Sequence, residues 1–337
     1  MSSVQADTVH RYWNRYPGAR VDSPVPHYEF SDPVLYSDWT WSQRFPDSVE
    51  IRKYFRYVAD KWDLDKDTHF RTTVTSAIWN DDASRWMIHT DTNVAFKCQF
   101  FLPNTGFAAK RHTPDWNGIS DFEGSWVHPS YWPKEESELR GRRIAVIGTG
   151  STGVQLTQEL APLASEFVLF QRTPNLALPM KQVAFAGKGT EIIPRSEYES
   201  FFNGRKDSFG GFDYNFSNKS TFQDSAEDRH KMYEELWSHG DFHFWLATYW
   251  DMLFDDSANT EAYNFWYAHE LPNIGLSSAT LTHSITGVTK SAPDCPTKDS
   301  RRSLHLKSSH TPLVPSGYLS RMAITSSLRN AMCTLWT

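Results

Sequence analysis

The chain has 337 residues, a formal net charge of -6 and a pI near 6.1, enough length for one large domain or two ordinary ones. It carries no basic block or stripe that would neutralise phosphates, so nucleic acid is not an expected partner. Aromatic residues make up 15% of it, with 14 Trp, which suits ring-lined pockets as well as an aromatic core and points to a small-molecule partner.

Cys98, Cys295 and Cys333 are far apart, without a C-x-x-C pair or a His cluster spaced for zinc. They read as free thiols of a reducing compartment, and no metal is expected. The opening Met1 to Gly18 has no apolar signal core, and no run of about 18 apolar residues follows anywhere. The expectation is a soluble, cytoplasmic protein with no membrane association.

In chain order, Trp13-Asn14-Arg15-Tyr16-Pro17-Gly18 has the Pro and Gly density of a rigid, ligand-facing loop. Trp39 to Pro46, WTWSQRFP, precedes a helix predicted from Ser48 to about Trp62, where Ile51, Tyr54, Phe55 and Val58 recur at spacings of three and four. Alternating segments Arg71 to Trp79 and Arg85 to Thr90, separated by Asn80-Asp81-Asp82, predict a small β-meander. Arg143 to Ile147 is a short β-rich run ending in Gly148-Thr149-Gly150-Ser151-Thr152-Gly153, and helical spacing follows from Thr152 to about Leu163.

That strand–turn–helix order is the context a dinucleotide turn requires: its glycines let backbone approach a pyrophosphate, and the helix N-terminus stabilises the negative charge. The next strand, Phe167 to Phe170, leads to Gln171-Arg172-Thr173, where an NAD enzyme would carry an acidic residue for the ribose hydroxyl. Arg172 is cationic and suits a 2'-phosphate, so NADPH is expected over NADH. Further on, Ser225-x-x-Asp228 opens a helix that stops before Gly240, a second helix is predicted over Asp241 to Phe254, and a third starts at Asp255 and runs to Trp266.

Phe122 to Pro133, FEGSWVHPSYWP, fits F-x-G-x-x-x-H-x-x-x-W-P at Phe122, Gly124, His128, Trp132 and Pro133. With the glycine turn behind it, this resembles the fingerprint of the Baeyer-Villiger monooxygenases, flavoenzymes that insert one atom of O2 beside a ketone carbonyl. A lone G-x-G-x-x-G carries little weight, whereas the two motifs in this order carry much. The resemblance spans about Tyr12 to Trp266 and includes WNRYPGAR, WTWSQRFP and FQRTPN.

It implies an α/β protein with two Rossmann-like domains, one for FAD and one for NADPH, plus a mostly helical insert. The implied boundaries are a partial FAD domain over 1-115, an NADPH domain with fingerprint linker over 116-200, the insert over 201-270 and a poorly packed tail over 271-337. By resemblance, Tyr12, Trp13, Asp22, Ser23, Tyr28 and Val74 lie along the FAD site. Arg20, Val21, Asp22, Thr149, Gly150, Ser151, Thr152, Gly153, Val154, Gln155, Arg172 and Thr173 lie along the NADP site. His128 is implied to couple domain movement to cofactor position, with a merely packed ring as the other reading.

Two family segments have no counterpart in the sequence. One is the glycine turn for the FAD pyrophosphate, ahead of WNRYPG, so the FAD domain is expected to be incomplete. The other is the G-x-K-R segment whose Arg sits over the flavin, so no catalytic residue is assigned. The tail from about residue 270 is expected to be family sequence read out of frame, because codons for Arg321 to Ser326, shifted by a base, permit Asp-Gly-Tyr-Tyr-Glu. The implied activity is FAD- and NADPH-dependent conversion of a ketone and O2 to an ester or lactone in secondary metabolism. The alternatives are an inactive remnant that binds NADPH and an N- or S-oxidising flavin monooxygenase.

Overall fold

A computed structural model of the chain describes residues 14–105, 111–133, 138–171, 177–187, 192–270 and 303–306. The chain divides into two compact units. Ser48–Trp132, with the segment ending at Arg15, forms one; Tyr16–Asp47 and the chain from Pro133 onward form the other. The division falls at Trp132 and Pro133, the last two fingerprint positions. Strands and helices alternate in an α/β fold.

The first unit opens with helix α1, Ser48–Lys61, whose Ile51, Tyr54 and Val58 are buried on one stripe, as the spacing predicted. Glu50 in the first turn and Lys61 in the last complement the helix dipole. Strands β1 (Val74–Asn80), β2 (Arg85–Thr90) and β3 (Ala95–Cys98) form an antiparallel meander in that order. The strand expected from Arg71 starts three residues later, because Arg71 sits at φ 54 and takes the chain out of extended conformation. At the β1–β2 turn the Asn80 side chain accepts the Ala83 N–H at 2.7 Å, so the polar turn residues set the register that pairs Trp79 with Trp86.

The second unit holds β4 (Arg143–Ile147) and β5 (Glu166–Phe170), paired in parallel, with helix α2 (Ser151–Leu160) between them in sequence and packed on β4. Val146, Leu156, Leu160, Phe167 and Leu169 are buried, which is the apolar pattern of both strands and the helix meeting in one layer. A short strand, Ser303–Leu306, pairs antiparallel with β5. Helix α3, Tyr198–Gly204, buries Tyr198, Phe201 and Phe202.

Helices α4 (Ala226–His239) and α5 (Asp256–Glu270) bracket an aromatic core of Tyr233, Phe244, Trp245, Tyr249, Phe265 and Trp266. Ser225 caps α4 by accepting the Asp228 N–H at 3.1 Å, and Gly240 ends it at φ 70. The single helix expected over Asp241 to Phe254 is instead two short turns, His243–Leu246 and Trp250–Leu253. Between them the Thr248 carbonyl accepts the Ser217 N–H at 2.8 Å, and within the second turn the Asp251 carboxylate takes the Thr221 N–H and hydroxyl at 2.9 and 2.8 Å. The Thr248 carbonyl is an acceptor that a continuous helix would use in its own ladder, whereas the Asp251 bonds are side-chain ties to Thr221. Among the described residues no helix is long and apolar enough to cross a membrane.

Candidate functional site

The glycine turn is built as the strand–turn–helix sequence demands. Gly148 continues the ladder by donating to the Phe170 carbonyl at 2.9 Å, then turns at φ 106, a region that only glycine enters freely. Gly150 is the N-cap of α2 and supplies no side-chain cap. A Cβ built on it meets nothing within 4 Å, so the open ground above the first turn of α2 is where a bound anion has room. Gly153 serves packing: a Cβ there would lie 2.1 Å from the Gly148 carbonyl oxygen. Thr149 and Gly153 are buried, Thr152, Val154 and Gln155 are half-buried, and Ser151 and Gly150 face out.

Tyr16 and Gly18, the described part of that loop within the second unit, rest on this helix. The Tyr16 hydroxyl lies 2.8 Å from Gln155 Oε1 and 3.3 Å from Thr152 Oγ1, donating toward both. Gln155 Nε2 donates in turn to the Arg20 carbonyl at 3.3 Å. Gly18, at φ 79, is pressed so close that a Cβ would stand 2.7 Å from the Gln155 carbonyl oxygen. Arg20, Val21, Asp22 and Ser23 follow directly, with Val21 held by its N–H on the Pro46 carbonyl at 3.1 Å and Ser23 buried. The Tyr28 hydroxyl donates to Asp22 Oδ1 at 2.6 Å, so two residues assigned to the FAD side are one hydrogen-bonded pair.

Arg20 to Ser23, Tyr28 and Thr149 to Gln155 all lie in the second unit, joined through the Arg20 carbonyl on Gln155 and the Tyr28–Asp22 bond. Val74, half exposed at the start of β1, belongs to the first unit, as do Phe122, Gly124, His128 and Trp132; Pro133 begins the second stretch of the other. Tyr12, Trp13, Arg172 and Thr173 lie outside the described residues, as do Cys295 and Cys333.

Within the fingerprint, Phe122 folds over Gly124 so tightly that a Cβ there would lie 2.5 Å from its ring, which accounts for the glycine. His128 caps the turn Pro129–Tyr131, its Nδ1 accepting the Ser130 N–H at 3.2 Å. Burial and the nearby Arg111 charge hold the His128 imidazolium below its ordinary range, so the ring is neutral with its proton on Nε2.

Two polar networks carried no local sequence signal. Asp241, with a side chain 0% exposed, accepts from Arg44 Nη2 at 2.6 Å, from the His243 N–H at 2.8 Å and from His243 Nδ1 at 2.5 Å. Glu29, likewise fully enclosed, accepts from Trp41 Nε1 at 2.6 Å, from the Tyr198 hydroxyl at 3.1 Å and from Arg195 Nη1 at 3.4 Å.

Comparison with known proteins places this geometry. The chain is 40% identical over 255 residues to cyclopentanone 1,2-monooxygenase of Comamonas sp., covering 76% of this chain and 46% of that protein. It is 39% identical to the FAD-binding monooxygenase acrE of Aspergillus aculeatus, over 75% of this chain and 43% of the other. Among solved structures it matches an oxidized steroid monooxygenase bound to NADP with TM-score 0.76 and 33% identity, covering 81% of this chain and 52% of that one. A cyclohexanone monooxygenase from Rhodococcus sp. Phi1 bound to NADP+ matches with TM-score 0.75 and 33% identity, over 80% and 51%. The chain therefore spans about half the length of the relatives it matches. The model of the flavin-binding monooxygenase-like family matches residues 29–205, more than half of the chain. On that match and the architecture described above, the chain belongs to the flavin-binding monooxygenase-like family.

Proposed function

We propose that this chain binds NADPH at the Gly148–Gly153 turn and serves, with FAD, in a Baeyer-Villiger type monooxygenase that converts a ketone and O2 to an ester or lactone. The observation that carries the reading is the turn itself, with open ground over Gly150 at the N-terminus of α2. The glycine turn fits the dinucleotide: backbone N–H groups of the first helical turn would hold the pyrophosphate, and Arg172, by its place in the sequence, would supply a cation for a 2'-phosphate. Bound NADPH supplies a hydride. The protein's own part is to hold the dinucleotide against the Arg20–Ser23 loop, which Tyr16 and Gln155 seat on the same helix. Asp22, Ser23, Tyr28 and Val74 remain the candidates for the flavin side. The G-x-G-x-x-G at Gly148–Gly153 is the turn assigned to NADPH.

Arg172→Ala tests the cofactor assignment. Losing one charge-assisted contact to the 2'-phosphate is worth about 1.5–3 kcal/mol, so NADPH affinity falls about 10- to 100-fold while NADH affinity is unchanged. Fluorescence titration with both nucleotides reads the outcome, and equal losses for the two would contradict it. The competing reading is an NADPH-binding protein without turnover, whose signature is tight NADPH binding that never transfers a hydride to added flavin.

A further inference from the structure

We infer that Glu29 is a positioning residue whose enclosed carboxylate, gripped by Trp41, Tyr198 and Arg195, fixes the 24–29 turn so that Tyr28 holds Asp22 at the cofactor loop. The inference rests on the NADPH reading above and adds a residue to it.

The geometry runs in one line through the second unit. Arg195, beside α3, does not serve Glu29 alone: it also donates to the Tyr36 and Trp39 carbonyls, and its guanidinium lies over the Tyr198 ring at 4.6 Å. Glu29 therefore ties the 24–29 turn to α3 and to the Trp39–Trp41 segment at once. The turn is further fixed by its amides: Val25 donates to the Arg44 carbonyl, His27 to Pro24 and Glu29 to Pro26. Tyr28, adjacent to Glu29, closes on Asp22 at 2.6 Å. Asp22 ends the stretch whose Arg20 carbonyl is held by Gln155 of α2. A shift of Glu29 thus reaches the glycine-turn helix through Tyr28, Asp22 and Arg20.

A buried carboxylate accepting from three donors is an expensive arrangement for a purely structural tie. Burial pushes the Glu29 carboxyl up to about 7 against the pull of Arg195 and the hydrogen bonds from Trp41 and Tyr198. Arg195 and Tyr198 are the ionisable groups that face it, and Trp41 supplies the remaining donor. Ionised, the group satisfies all three donors; protonated, it presents a donor of its own to them. The grip on the turn is then firmest above pH 7. Stability moves the other way: because folding raises the carboxyl's range, the stability it contributes is full below its ordinary 4.5 and is lost as pH rises through about 7.

The test compares the full chain with Glu29→Gln, Tyr28→Phe and the double variant. At pH 8, Glu29→Gln binds NADPH about tenfold more weakly than wild type, one charge-assisted contact's worth. At pH 6 the gap closes to within about twofold, since the wild-type carboxyl is then itself neutral. Thermal midpoints separate this from general destabilisation, because between pH 6 and 8 wild type loses ground to Glu29→Gln even as it binds better. Tyr28→Phe reproduces the pH 8 loss, and the double variant adds nothing further. Hydrogen exchange supplies a readout that needs no nucleotide: the Val25, His27 and Glu29 amides exchange faster in Glu29→Gln. Unchanged exchange, or additive losses in the double variant, overturns the inference. If wild type binds no NADPH, the function proposed above falls, and the exchange result decides the role of Glu29 by itself.

Discussion

Gly150→Ala and Gly153→Ala, three residues apart in one turn, are expected to separate ligand binding from folding. At Gly150 the backbone is at φ -70 and an added methyl meets nothing within 4 Å, so the fold tolerates it. The change in stability stays under about 1 kcal/mol, the cost of a poorer N-cap. The methyl nonetheless occupies the ground above the first turn of α2, and NADPH affinity drops about 10- to 100-fold as the pyrophosphate is pushed off the N–H groups. At Gly153 the same methyl would stand 2.1 Å from the Gly148 carbonyl oxygen, which is backbone and cannot rotate away. Strand β4 and helix α2 must part, at a cost of about 1–3 kcal/mol, and NADPH binding is lost with the turn. Urea melts and nucleotide titrations on the two variants read this directly; equal behaviour of the pair would contradict the geometry.

Arg44→Ala is expected to be the most destabilising single truncation outside the apolar core. Its guanidinium is 11% exposed and its partner Asp241 is 0% exposed, so removing the cation leaves a buried carboxylate without its arginine partner, still hydrogen-bonded by His243. Breaking a pair of this kind by deleting one partner costs about 3–5 kcal/mol, most of it the penalty for the charge left behind. Arg44 also donates to the His239 carbonyl at the end of α4, so the helical core loosens with it. Arg44→Met with Asp241→Leu recovers part of the loss, because an apolar pair leaves no stranded charge. A urea midpoint for Arg44→Ala within experimental scatter of wild type would sink this account of the Arg44–Asp241 pair.

Local physics was readable where one period and one punctuation mark agreed. Arg143 to Leu160 gave its strand, turn and helix because β-rich residues, three glycines and a helical stripe stand in one unbroken order. Ser225 and Gly240 bounded α4 for the same reason. The run from Asp241 to Phe254 misled, since its rings fall at helical spacing while the Thr248 carbonyl pairs with the Ser217 N–H instead of continuing a helical ladder. β3 was too short to announce itself, and its AFKC earns its place only by pairing with β2. In the site, the glycines and the Tyr16–Ser23 loop were legible as motifs. Glu29 and Arg195 were not, because they stand 166 residues apart and each taken alone reads as an ordinary surface charge.

The measurement that bears most directly on the proposed function is the visible absorbance of the purified full chain mixed with FAD, followed anaerobically through NADPH addition and then on admission of air. The account predicts a flavin band that NADPH bleaches faster than in a protein-free control and that air restores. A band that NADPH leaves untouched, in a protein shown by titration to bind NADPH, would contradict a monooxygenase role for this chain and leave it a nucleotide-binding protein without turnover.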